Sequence, residues 1–136
     1  MDDETRVRIN SDQDIVVARQ KGRSLAIALG FSSGDATLVA TAISELARNI
    51  VSYAKTGDIV LKVIHSSANS GISGIQIVAR DNGPGIPDVQ QALRDGFSTS
   101  GSLGLGLPGV MRLVDEFHIA SVESQGTTVS IKKWKH

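Results

Sequence analysis

Glu45 and Asn49 stand four residues apart in a stretch whose apolar residues recur with the period of a helix. At about 100° per residue, this spacing places both side chains at the rim of the predicted buried face, one turn apart. A carboxylate in such a place can act as a general base, and a carboxamide oxygen can bind Mg²⁺. The alternative is a polar edge beside the core without any chemistry, and the spacing alone leaves both interpretations open.

A second candidate site, Asp81-Asn82-Gly83-Pro84-Gly85, follows a predicted strand. Asp81 could accept a hydrogen bond from an exocyclic amine such as that of adenine. Gly83 and Gly85 would leave room for a flat ring beside the backbone. Asn-Gly and Pro-Gly are also ordinary turn formers, so the alternative is a simple turn at the end of a strand, and the segment by itself does not establish a binding site.

The third candidate is the Gly- and Ser-rich segment 96–107, which precedes a predicted helix with Pro108 in its first turn. Backbone N–H groups ahead of a helix N-terminus suit phosphate. The segment contains no Lys or Arg, so a metal ion would have to supply most of the positive charge. Gly104, Gly106 and Gly109 match G-x-G-x-x-G, but no strand directly precedes them, which disfavours a dinucleotide fingerprint; the absence of G-K-[S/T] excludes a P-loop.

Helices and strands must hold these three segments together, and the sequence pattern predicts them in the order β-α-α-β-β-α-α-β-β. Asp12 and Ser33 are the predicted N-caps of the first two helices. Strands joined by short links favour a mainly antiparallel sheet with the helices on one face, an α+β two-layer sandwich. The predicted strands are 5–9, 59–65, 72–80, 117–122 and 127–134, and the predicted helices are 12–29, 35–53, 87–95 and 108–116.

Composition narrows the classes of function. The 136 residues fit one domain over 1–136, and equal numbers of basic and acidic residues, 14 each, disfavour a general nucleic-acid binder. The absence of cysteine excludes disulfide scaffolds and thiolate metal sites. No apolar run approaches the roughly 18 residues of a membrane span, and no secretory signal is recognisable at the start. We therefore expect a cytoplasmic protein.

In this order, E-x-x-x-N on a helix, D-x-G-x-G after a strand, a Gly-rich segment before a helix and G-T in the last strands resemble the GHKL ATP-binding superfamily, which shares the Bergerat fold. The resemblance implies ATP and Mg²⁺ as cofactors, with Glu45 as general base, Asn49 as Mg²⁺ ligand and Asp81 as the adenine reader. It also implies nucleotide contacts, several of them from glycines closing over the phosphates, at Gly83, Gly85, Ser100, Gly101, Leu103, Gly104, Leu105, Gly106 and Thr127.

Residues 44–50 and 95–104 resemble the anti-sigma-factor kinase branch, and most closely the switch-protein serine/threonine kinases of the bacterial stressosome. That resemblance implies phosphorylation of a small STAS-domain protein, followed by binding and activation of a phosphatase, with no nucleic-acid or membrane partner. Arg48 is predicted to point away from Asn49, either towards an acidic partner or into solvent. An anti-sigma factor that sequesters a sigma factor, a nucleotide-dependent binding module and a simple ATPase remain as alternatives.

Overall fold

The computed structural model of the chain describes residues 4–66, 72–86, 93 and 106–135. Among the described residues, no helix combines the length and apolarity that a membrane span requires. Their helices and strands are β1 (Glu4–Ile9), α1 (Asp12–Ala28), α2 (Ser33–Asn49), a π-helical turn (Ile50–Ala54, here the π turn), β2 (Gly57–His65), β3 (Ser73–Asp81), α3 (Gly106–Leu113), β4 (Glu116–Val122) and β5 (Gly126–Trp134).

The five strands form one sheet in the order β1-β2-β3-β5-β4, and every neighbouring pair is antiparallel. β5 lies between β3 and β4 and runs antiparallel to β3, so the last residue of β3 lies opposite the start of β5. Asp81 is in register with Thr127 on one side and with Gly57 on the other. The register thus gathers the end of β3 and the starts of β2 and β5 at one end of the sheet.

The helices cover one face of this sheet, as the predicted two-layer α+β sandwich requires. In β3 the alternating residues Ile75, Ile77 and Ala79 are buried, which confirms the face predicted from the sequence. α1 packs on α2, and Gly22 allows Ile43 to lie directly against the α1 backbone. The largest fully buried side chains of this core are Ile9, Val39, Ile43, Leu46, Ile50, Ile59, Leu61, Ile75, Ile77, Val110 and Ile131.

The N-caps of the first two helices lie one residue before the predicted ones, because the residues predicted as caps are the first helical residues. Ser11, with extended backbone, is the N-cap of α1, and Asp12 is the first helical residue; Asp14 accepts the backbone N–H of Ser11 at 3.2 Å. Ser32 rather than Ser33 is the N-cap of α2, and its hydroxyl accepts a first-turn N–H at 3.1 Å. In both cases neighbouring residues are suitable caps, and backbone geometry decides between them.

The last helix, α3, starts and ends earlier than predicted, at Gly106 and Leu113. It ends because the chain beyond it is bound to β5: the Asp115 N–H donates to the carbonyl of Lys132 at 2.9 Å, and the N–H of Trp134 donates to the Asp115 carboxylate at 2.7 Å. The predicted helix over 87–95 lies outside the described residues except for residue 93.

Candidate functional site

Asp81 closes β3 with its carboxylate turned into the following turn. Its Oδ1 accepts the backbone N–H of Gly83 at 2.9 Å and the backbone N–H of Thr127 at 3.3 Å. The same side chain therefore stabilises the turn after β3 and connects it to the start of β5. The two N–H donors fix the direction of the carboxylate. A residue that recognises a flat nucleobase through a hydrogen bond needs such a fixed direction.

Gly83 and Gly85 lie where the turn passes close to other parts of the protein. A Cβ at Gly83 would lie 2.6 Å from the Cβ of Ala54 in the π turn. Gly85 has a φ of +78°, and a Cβ there would lie 2.5 Å from the carbonyl oxygen of Val122. The structure thus gives both glycines a packing role, and the predicted role of leaving room for a ring stays a prediction.

Thr127 belongs to a small cluster of hydroxyl groups beside Asp81. Its Oγ1 lies 2.8 Å from Ser121 Oγ, and Ser121 Oγ also accepts the backbone N–H of Ile86 at 2.7 Å. Ser121 is not among the residues predicted from the sequence. The signal lay in the hairpin between the last two strands, because pairing Val122 with Gly126 places 121 opposite 127.

Asn49 is the last residue of α2 and is half-buried. The helix continues into the π turn, whose first residue, Ile50, lies over the end of the sheet: a Cβ at Gly57 would lie 2.9 Å from Ile50 Cγ2 and 3.2 Å from Asp81 Cβ. Short π-helical segments are frequent at functional sites. The turn brings the helix end that carries Asn49 to the strand end that carries Asp81, so two separate sequence motifs meet at one end of the sheet.

Glu45 is a nearly buried carboxylate, with only 7% of the residue exposed. Its Oε1 lies 2.7 Å from Arg48 Nη1, and its Oε2 accepts the backbone N–H of Gly106 at 3.4 Å. The sequence did not predict this contact of Arg48: the guanidinium reaches back one turn to Glu45, because a buried carboxylate requires a partner and i,i+3 spacing provides one, while 41% of the Arg48 side chain remains exposed. The arrangement puts a potential base directly beside the N-terminus of α3.

Gly106, the first residue of α3, has a φ of +68° and is the one predicted nucleotide contact of the segment 96–107 that the structure describes. The other predicted contacts there lie outside the described residues: Ser100, Gly101, Leu103, Gly104 and Leu105. Within the described part, the N-terminus of α3 is suited to a phosphate group, and Glu45 and Asn49 of α2 offer a proton acceptor and an amide oxygen for a metal ion.

Comparison with known proteins gives this fold and site a class. Residues 34–136 match the sequence profile of the histidine kinase-, DNA gyrase B-, and HSP90-like ATPases. The fold is similar to a Mycobacterium tuberculosis structure of RsbU and RsbW domains, with TM-score 0.63, 18% identity, and coverage of 97% of this chain and 33% of that one. It is also similar to the mycobacterial sensor histidine kinase MprB, with TM-score 0.57, 14% identity, and coverage of 100% and 99%. The chain belongs to this ATPase family.

The branch of the family follows from two curated relatives. The serine/threonine-protein kinase RsbT of Bacillus subtilis is 52% identical over 134 residues, which cover 98% of each chain. An anti-sigma F factor of Halalkalibacterium halodurans is 32% identical over 104 residues, 73% of this chain and 69% of that protein. Within the ATPase family the chain is a serine/threonine-protein kinase of the RsbT type, which confirms the branch that the motifs predicted. It operates in partner switching.

Proposed function

We propose that the chain transfers the γ-phosphate of ATP to a Ser or Thr hydroxyl of a small STAS-domain protein, in the cytoplasm, and then activates a phosphatase by binding to it. The observation that carries the proposal is the contact between Glu45 and the start of α3, where Oε2 lies 3.4 Å from the Gly106 nitrogen. A domain that only binds nucleotide needs no base beside its phosphate site. Phosphotransfer to a hydroxyl does use such a base, because the carboxylate can accept the proton of the attacking hydroxyl.

Recognition of adenine is assigned to Asp81. Two backbone N–H groups, from Gly83 and Thr127, hold its Oδ1. The carboxylate has lone pairs beyond those two hydrogen bonds, and these can accept an exocyclic amine. Thr127 adds a hydroxyl that Ser121 holds at 2.8 Å. The end of the sheet at Asp81 and Thr127, here the proposed adenine-binding end, therefore combines a carboxylate acceptor and a hydroxyl, both held in place by hydrogen bonds.

Binding of Mg²⁺ is assigned to Asn49. The described residues contain no group of three His, Asp or Glu side chains that could enclose a metal ion. A single amide oxygen suits Mg²⁺, which is commonly bound by one or two protein ligands together with substrate phosphates and water. Mg²⁺ bound in this way supplies the charge neutralisation that the segment 96–107, which lacks Lys and Arg, does not provide.

Phosphate binding is assigned to the N-terminus of α3 together with the preceding glycines, including Gly101 and Gly104. The free N–H groups of a helix N-terminus and the helix dipole favour negative charge. Glu45 accepts the proton of the attacking hydroxyl, a contribution on the order of 10²–10⁴ in rate. Its burial keeps water away from the reacting groups and makes the carboxylate a directed acceptor.

A direct test is incubation of the chain with [γ-³²P]ATP, Mg²⁺ and purified candidate STAS-domain proteins. We expect label on a Ser or Thr of one of them, followed by binding of the chain to a phosphatase whose activity rises. The matched control is the same STAS-domain protein with its accepting residue changed to Ala. Formation of a stable complex without any label would contradict the kinase mechanism.

An anti-sigma factor is the second candidate, and the similarity to the anti-sigma F factor of H. halodurans favours it. That similarity is weaker than the 52% identity over nearly the whole chain that relates it to the RsbT kinase. Purified sigma factors incubated with the chain and ATP distinguish the two functions. A nucleotide-dependent sigma complex supports the second, and its absence beside a labelled STAS-domain protein supports the first.

A further inference from the structure

Arg48 makes a contact that the proposed reaction does not yet use. Its Nη1 lies 2.7 Å from Glu45 Oε1, while its own side chain is 41% exposed and that of Glu45 is 9% exposed. An arginine that reaches inward from the surface thus forms a short, charge-assisted hydrogen bond to a nearly buried carboxylate. The bond involves Oε1, so it makes the two oxygens of Glu45 unequal.

The other oxygen has a weaker partner. Gly106 donates its backbone N–H to Oε2 across 3.4 Å, a long hydrogen bond from an uncharged donor. This N–H belongs to the start of α3, and a phosphate group placed there competes for it. The bond that a phosphate group would have to replace is thus the weaker of the two, and the shorter bond between Oε1 and Arg48 lies on the other oxygen.

We infer that Arg48 is a positioning residue for phosphotransfer: it holds Glu45 through Oε1 so that Oε2 is the atom that receives the proton. The inference rests on the proposed kinase function. In the step, the acceptor oxygen forms a bond to the γ-phosphorus, the bond from that phosphorus to the β–γ bridging oxygen breaks, and ADP leaves with the bonding electrons. The hydroxyl proton moves to Oε2, and Arg48 does not touch the reacting atoms.

The advantage of this arrangement is a carboxylate with one orientation. A glutamate side chain has several rotatable bonds. Without a hydrogen-bond partner to fix its rotamer, its carboxylate spends much of its time away from the geometry that proton transfer requires. Small misplacements of a catalytic group reduce rates steeply. Arg48 and Glu45 lie on the same helix, one turn apart, so the ion pair between them is supported by a rigid element.

The test compares Arg48→Ala and Arg48→Lys with the wild type, using the STAS-domain protein that the wild type labels. Arg19→Ala is the matched control, because Arg19 is also a helical arginine but is exposed on α1. We expect Arg48→Ala to lower kcat by about 10- to 100-fold while the KM values for ATP and the acceptor stay within about twofold. Arg48→Lys should recover part of kcat, because its ammonium keeps the charge but not the guanidinium geometry.

Two kinetic results would overturn the inference. A raised KM for the acceptor with unchanged kcat would make Arg48 a contact to the partner protein. A raised kcat would make the ion pair an inhibitory contact that must open. Failure of the proposed function is separate from both, because it would appear as absence of transfer in the wild type.

A measurement without any acceptor or nucleotide tests the same inference. In NMR spectra of the labelled protein, Glu45→Gln and Arg48→Ala should both shift the backbone amide signal of Gly106, and Arg19→Ala should leave it in place. A Gly106 signal that does not move in Arg48→Ala would show that the carboxylate keeps its position without the guanidinium. That result would overturn the positioning role whatever the catalytic activity of the wild type.

Discussion

The hydroxyl of Ser121 holds three parts of the chain in place at the proposed adenine-binding end. It accepts the N–H of Ile86 at 2.7 Å and lies 2.8 Å from the hydroxyl of Thr127, whose own N–H donates to Asp81 Oδ1 at 3.3 Å. The segment after β3, the end of β4 and the start of β5 therefore depend on one oxygen atom. Its loss leaves part-buried groups without a partner, which costs more than the average hydrogen bond.

Ser121→Ala should lower the free energy of unfolding by about 1–3 kcal/mol, because the Ile86 N–H loses its acceptor. ATP should also bind more weakly, since the Thr127 hydroxyl loses its holder. Ser24→Ala, at an exposed serine on α1, is the control: it should leave the ATP affinity unchanged and raise the free energy of unfolding by no more than about 0.7 kcal/mol, from helix propensity. Urea denaturation and calorimetric titration with ATP measure the two effects. Equal stability and affinity in both variants would contradict the role of Ser121.

Residue types and local spacing are sufficient to mark Glu45, Asn49 and Asp81 as candidates, because one stretch of predicted helix or strand end defines each of them, and the order of the motifs along the chain gives them their predicted roles. Two other residues could not be assigned in this way. The neighbours of Ser121 depend on strand register, and the ion pair between Arg48 and Glu45 depends on how deeply the carboxylate is buried. Both are tertiary properties that a helical wheel does not contain.

At the scale of elements, two tight backbone approaches shape the site. The π turn lies against the turn after β3, where Ala54 meets Gly83. The turn after β3 also lies against the end of β4, where Gly85 meets Val122. Strand and helix positions were predictable because the apolar periods of 2 and 3.6 are strong in this chain. The π turn was not, because the predicted helix over 35–53 continues through it without any break in the apolar pattern.

Gly85→Ala should lower the free energy of unfolding by about 2 kcal/mol, because Ala disfavours a φ of +78° and its Cβ would lie 2.5 Å from the carbonyl oxygen of Val122. Gly34→Ala is the matched control: Gly34 lies in α2, and the nearest atom to its added Cβ is Ser32 Oγ at 4.0 Å. That variant should gain up to about 1 kcal/mol from helix propensity. Chemical denaturation of both variants measures the difference, and equal changes would contradict the packing role.

At the scale of the whole molecule, the described residues form a layer of helices on one face of an antiparallel sheet, with the candidate site where the end of α2 meets the end of β3. Its two halves come from distant parts of the sequence, so a nucleotide that contacts Asn49 and Asp81 bridges the two layers. A ligand that binds only the folded state stabilises the whole protein. The layer architecture was predictable from the order of elements, whereas the meeting of the layers at Asn49 required the π turn.

Mg²⁺ with ATP at about 100 times its Kd should stabilise the protein by about 2.7 kcal/mol, visible as a raised Tm. Asn49→Ala should abolish most of this gain, because the proposed Mg²⁺ ligand is absent, while the Tm without ligand stays close to that of the wild type. EDTA should abolish the gain in the wild type. Thermal unfolding by circular dichroism measures all three conditions, and a full ligand-induced rise in Asn49→Ala would contradict the metal role.

The proposed phosphotransfer depends most directly on the carboxylate of Glu45 as the base that accepts the hydroxyl proton. The most direct measurement is single-turnover transfer from [γ-³²P]ATP to the STAS-domain protein by the wild type and by Glu45→Gln, with ATP affinity determined for both. We predict that Glu45→Gln keeps its ATP affinity and loses transfer by about 10² or more. Transfer at the wild-type rate in Glu45→Gln would contradict the claim.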